Sequence, residues 1–170
     1  WALLQSDVNT TTNSRGAWVA WKKAGASEGA SYDFAFNFAF NGHAGIISYS
    51  GGDTIDVSGE TAWTTVGAGP WAPTAPSITT TVDNCLDVWV ACYRWTPSGS
   101  APAFTPPSGY TERSDAGSSG WTMALSIADK AQASAGASGT AAGSVTNATA
   151  TGGSVYAVHV AISPAVSSYT

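Results

Sequence analysis

Charge is what this sequence has least of. Asp, Glu, Lys and Arg make up 10% of the 170 residues, against ~25% in an ordinary globular domain. Only six residues are basic (Arg15, Lys22, Lys23, Arg94, Arg113 and Lys130), and the net charge is −5. That excludes a phosphate-binding surface, so no nucleic acid partner is expected. No apolar run reaches the ~18 residues of a membrane-spanning helix. No basic start followed by an apolar stretch marks a signal peptide. The chain opens on Trp1 rather than Met, which reads as a processed product or a piece of something longer, with any targeting segment outside it. Cysteine is nearly absent. Cys85 and Cys92 are seven residues apart in one expected strand, which puts them on opposite faces and about 20 Å apart. A disulfide needs Cα atoms within ~7 Å, so two buried free thiols are expected, with a cross-link to another chain as the alternative. There are two histidines, no His-Glu-x-x-His or Cys-x-x-Cys, no Gly-x-Ser-x-Gly elbow and no phosphate loop. No catalytic residue, cofactor or metal is therefore expected, and the chain reads as non-enzymatic.

What the chain has is aromatic side chains: eight Trp, six Tyr and five Phe. Five of them alternate from Tyr32 to Phe40. Period 2 places them on one face of a strand and scatters them round a helix. Phe34, Phe36 and Phe38 are expected in a core. Other runs carry the same mark. Leu86, Val88, Val90 and Cys92 alternate with Cys85, Asp87, Trp89, Ala91 and Tyr93. Both sets are largely apolar, which predicts a central strand covered on both sides. Trp121, Met123, Leu125 and Ile127 alternate with Thr122, Ala124, Ser126 and Ala128, which predicts one buried face. Tyr156, Val158, Val160 and Ile162 share a face in a last strand over 154–163, with His159 on the outer side. Shorter strands are expected over 17–23, 44–50, 54–57 and 77–82. The stretches 60–76 and 96–108 read as loops, and Asp83-Asn84 reads as a turn. The small-residue region 131–153 reads as further strands in preference to a linker. The expected architecture is all-β over residues 1–170: one antiparallel two-sheet sandwich of jelly-roll type with about ten strands.

Few residues are candidates for chemistry. Asp53 and Asp56 follow Gly51-Gly52. They are expected to cap a turn, with a cation site (Glu60 and Asp87 as further donors) or a glycosidase pair as alternatives. His43 and His159 read as solvated or hydrogen-bonded side chains. Trp63, Trp71 and Trp95 are expected in or beside loops, as interface contacts or as rings for stacking on a host surface glycan. Asn9-Thr10-Thr11 and Asn147-Ala148-Thr149 match the N-glycosylation acceptor pattern, a weak signal in a chain rich in Thr.

Five stretches together resemble a β-rich domain recurring in structural proteins of tailed bacteriophages and prophages. They are Ile47-Ser48-Tyr49-Ser50-Gly51-Gly52-Asp53, Pro76-Ser77-Ile78-Thr79-Thr80-Thr81-Val82-Asp83-Asn84, Pro107-Ser108-Gly109-Tyr110-Thr111-Glu112-Arg113, Ile127-Ala128-Asp129-Lys130 and Val158-His159-Val160-Ala161-Ile162-Ser163-Pro164. The resemblance spans Trp18 to Pro164; the cysteines and the dense tryptophan lie outside its pattern. It implies a virion surface or tail-associated module, a capsid decoration or fibre protein, without enzymatic activity. Its partners would be copies of itself, a trimer suiting a capsid threefold, and other virion proteins. The alternative is a carbohydrate-binding module at a fibre or tail tip.

Overall fold

The computed structural model describes residues 1–9, 15–35, 42–67, 69–95, 101–117, 123–146 and 153–165. The described residues form an all-β structure of several antiparallel sheets. The largest has five strands: β3 (Gly52–Val66), β6 (Cys85–Trp95), β8 (Thr111–Gly117), β9 (Met123–Gln132) and β13 (Gly153–Pro164), in the order β3-β13-β6-β9-β8. The two strands with the clearest alternation, β6 and β13, lie inside this sheet. Trp89 stands opposite His159 on one side and Ala128 on the other.

Both faces of the sheet are covered. One carries an aliphatic cluster of Val88, Val90, Leu125, Ile127, Val158 and Val160, with Trp63 and Tyr156. It lies under a hairpin of β1 (Ala2–Asn9) and β2 (Arg15–Trp21), which contributes Leu4, Ala17 and Val19. The opposite face carries Trp89, Ala91, Tyr93, Trp95, Ala124, Ala128, Val155 and Ala157. Over it run two irregular segments in one unbroken register: Thr80 lies opposite Gly136, Ala75 opposite Ala141, and Trp71 opposite Val145. The paired pieces are β4 (Thr74–Ala75), β5 (Thr79–Thr80), β10 (Gly136–Ala137) and β11 (Ala141–Ala142). Beside them, β12 (Ser144–Thr146) pairs with β7 (Ala103–Thr105).

Glycine lets this outer layer sit close. A Cβ on Gly143 would lie 2.7 Å from the Trp89 ring, and one on Gly59 would lie 3.2 Å from Pro76. A glycine inside a strand pattern here marks an approaching neighbour rather than a break.

Several expectations need correction. Tyr32 to Ala35 is not a strand, and Phe34 is 56% exposed rather than in the core; alternation alone does not supply a hydrogen-bonded neighbour. Phe36, Phe38 and Phe40 lie outside the described residues. The 44–50 stretch pairs with no strand, yet Ile47 and Tyr49 pack on the aliphatic cluster while Ile46 is exposed. Residues 60–66 belong to β3 and not to a loop. β9 is buried on both faces, because Ala124, Ser126 and Ala128 meet the irregular layer. The expected turn at Asp83-Asn84 is present, with Asn84 at φ 59° and the Asp83 carboxylate accepting the Ala135 amide at 2.7 Å.

Candidate functional site

His159, expected on the outer side, is fully buried. Its alternation partners Ala157 and Ala161 are small because that face is closely covered. The imidazole reaches into the irregular layer, with Nδ1 3.0 Å from the Pro76 carbonyl and 3.4 Å from Ser138 Oγ. A carbonyl only accepts, so the proton sits on Nδ1. Nε2 then accepts from the Tyr110 hydroxyl at 2.8 Å. Burial, followed by the charge of Asp87, raises the Tyr110 phenol above its ordinary value, which keeps that hydroxyl a donor. Asp87 is fully buried on the same face. Its Oδ2 lies 3.7 Å from Lys130 Nζ and 3.7 Å from His159 Nε2, and among the described residues neither oxygen receives a hydrogen bond. Lys130 also sits 4.9 Å above the Tyr110 ring.

Ser, His and Asp are therefore neighbours, but not a catalytic set. The Nδ1 proton is committed to Pro76, so that nitrogen cannot act as a base toward Ser138. Ser138 Oγ itself bonds Gly139 O at 3.0 Å and accepts from Ile78 N at 3.1 Å. A general base needs a free lone pair within reach of its target proton. The cluster instead ties residues 76–78, 110 and 138 to the central sheet.

The expected acidic pair is separated by its partners. Asp56 accepts from the Thr81 amide at 2.7 Å and from the Thr81 hydroxyl, rather than capping a turn of its own. Asp53 pairs with Lys23. Glu60 accepts from the Tyr156 hydroxyl, while Asp87 lies across the sheet from that site. Among the described residues no group of three His, Cys, Asp or Glu side chains could hold a metal ion. His43 is half-buried in the 42–49 segment. Cys85 and Cys92 are both free thiols; desolvation pushes Cys92 up to about 12.

The three tryptophans expected beside loops are all in the core. Trp71, Tyr93 and Trp95 form a stack, with centroids 4.8 Å and 5.3 Å apart. Trp63 stacks on Tyr156 at 5.6 Å beneath the Arg15 guanidinium. None of Trp63, Trp71 and Trp95 is more than 8% exposed, so none offers a ring face to a sugar. The depression beside β3, lined mainly by Thr61, Thr64, Pro73, Thr74, Val155 and Tyr156, carries no carboxylate, imidazole or thiol.

No family model, curated protein or solved structure matches the chain significantly. The functional reading therefore stands on the residues themselves, and the exposed surface is where they are unusual. Trp1 is 50%, Leu3 61%, Val8 51%, Trp18 46%, Tyr32 37% and Phe34 56% exposed. The ladder explains why these side chains share the outer face of the β1–β2 hairpin. Leu3 pairs with Ala20, Ser6 with Trp18 and Val8 with Gly16, while a bulge between Leu3 and Gln5 turns Leu4 inward. The Trp18 ring lies over Gly16, where a Cβ would be 2.6 Å from it. Trp1 extends the face through edge-on contacts with Tyr32 at 5.2 Å and Phe34 at 5.4 Å. The bulge hides the strand period of β1, so the sequence does not single out Trp1 and Leu3, while Trp18 falls in the strand expected over 17–23 with no face assigned to it. No helix among the described residues is long and apolar enough to cross a membrane.

Proposed function

We propose that this chain is a non-enzymatic structural module that works by packing against protein neighbours, as a surface or fibre-type component of a bacteriophage particle. The observation that carries the packing role is the exposed apolar face of the β1–β2 hairpin. Isolated soluble domains rarely expose contiguous apolar patches beyond a few hundred Å² without a partner. The buried polar cluster supports the same reading, since its hydrogen bonds hold layers together and commit both nitrogens of His159. The phage setting comes from the sequence resemblance alone. In this reading the two covered faces belong to one sandwich domain of jelly-roll type whose outer sheet is irregular.

The test is co-sedimentation with particles of a tailed phage that encodes the chain. The chain should stay with the particles through a density gradient. A chain that remains at the top of the gradient defeats the proposal. The second reading, a glycan-binding module, moves from Trp63, Trp71 and Trp95 to Trp1, Trp18, Tyr32 and Phe34, because these are the exposed aromatic rings among the described residues. Glycan-array binding lost in Trp18→Asp supports it; an array without binding removes it.

A further inference from the structure

We infer that the outer face of the β1–β2 hairpin is a self-association surface, and that its occupant is the same face of a second copy of this chain, related by a two-fold axis. The inference rests on the packing role proposed above and names the partner.

Three observations select a second copy. The first is area. At the exposures of Trp1, Leu3, Val8, Trp18, Tyr32 and Phe34, these side chains present about 600 Å² of apolar surface. Two copies together would remove about 1,200 Å² from water, the lower bound for a specific interface. The second is relief. Trp18 forms a ridge because its ring lies over Gly16, and the positions beside it hold the small residues Ser6 and Ala20. An isologous contact needs projections and hollows on the same patch, and this face supplies both. The third is charge. The cations bordering the face are already neutralised within the chain: Lys22 pairs with Glu28 at 2.6 Å, and Lys23 pairs with Asp53. A second copy therefore approaches without strong repulsion from those lysines, whereas an acidic partner finds no unpaired lysine there to select it.

Sedimentation velocity of the purified chain between about 2 and about 200 µM tests this, a range that brackets the micromolar affinity of an interface at this lower bound. The wild type should shift from monomer to dimer across the series. Trp18→Asp and, independently, Leu3→Lys should weaken the dimer about tenfold or more. Both side chains point outward, and a circular-dichroism melt shows which variants remain folded. A wild type that stays monomeric throughout, a trimer, or a dimer untouched by either folded variant overturns the inference. Combined with the gradient experiment, the two failures are separable. A monomer that travels with particles overturns self-association and leaves the packing role intact. A dimer that does not travel with particles leaves self-association intact and removes the phage role.

Discussion

The molecule holds two sets of aromatic rings, and they differ in what surrounds them. Trp71, Tyr93 and Trp95 are stacked and no more than 2% exposed. Trp1, Trp18, Tyr32 and Phe34 are between 37% and 56% exposed. Both sets are read from the same letters, and only the backbone separates them. The stacked set projects from, or pairs beside, strands that have a layer on top. The exposed set sits on or against a two-stranded hairpin whose inner side is already spent on Leu4, Ala17 and Val19. Aromatic density therefore reports folding in one place and availability for contact in another.

The comparison breaks most sharply under truncation. Trp89→Ala and Trp95→Ala should each lower stability by about 3–5 kcal/mol, the range for large-to-small changes at buried aromatic sites. Trp89 is closely covered, since Gly143 is pressed against its ring. Chemical denaturation reads the effect. A loss below about 1 kcal/mol at both sites would mean that the irregular layer is not a packed one.

A smaller effect is expected from the clasp that holds that layer. Tyr110→Phe keeps the ring beneath Lys130 but removes the hydroxyl that donates to His159 Nε2. A buried acceptor left without its hydrogen bond costs about 1–3 kcal/mol. Nitrogen NMR of the histidines adds a check that stability cannot give: His159 should carry its proton on Nδ1 in the wild type. Protonation on Nε2 would reverse the donor assignment.

The third effect depends on pH. Burial alone would raise the Asp129 carboxyl, but the hydrogen bonds and charge of Arg113, with the Tyr49 hydroxyl nearby, outweigh it and hold the group below its ordinary value. Arg113 makes two of those bonds, at 2.8 and 2.9 Å. A carboxyl depressed in the folded state adds stability above its unfolded value, near ~3.9, and that contribution disappears as pH falls through the folded value. Urea unfolding at pH 6 and near pH 3 should therefore show a loss that is smaller in Arg113→Met than in the wild type. Parallel curves would remove Asp129 from the acid response.

How much of this was legible depended on where each strand sits. β6 and β13 are interior strands, so their alternation is uninterrupted and both are legible as strands, although the second buried face of β13 is not. β1 is hidden because its bulge shifts the period at Leu4, and β8 is hidden because Thr111 to Asp115 is an unbroken polar run. Residues 60–66 read as loop together with the proline-bearing run that follows them to 76, yet they continue β3 past Gly59, where Pro76 crosses. His159 was placed outward because Ala157 and Ala161 beside it looked like surface. Its partners Tyr110 and Pro76 are 49 and 83 residues away, and no local pattern announces such a contact. Asp56 does accept a backbone amide, but from Thr81, 25 residues away, and from inside β3 rather than from a turn of its own. Trp63, Trp71 and Trp95 were misplaced because Gly and Pro around them suggested loops, and exposure is a property of what covers a residue rather than of its neighbours in sequence.

The smallest expected effect on stability is the one that most sharpens the comparison. Trp18→Ser removes a large ring from the outer face of a strand, opposite Ser6 and over Gly16. If that ring supported the fold, its loss would approach the cost at Trp89. The core-facing side chains of β2 are Arg15, Ala17 and Val19, and Trp18 is 46% exposed, so the stability of the monomer should change by no more than about 0.5 kcal/mol, as for surface substitutions away from special features. Measured at low concentration, the melting curves of Trp18→Ser and wild type should nearly overlay. A loss of several kcal/mol there would make the exposed set a second core rather than a contact surface, and the distinction between the two groups of rings would fall with it.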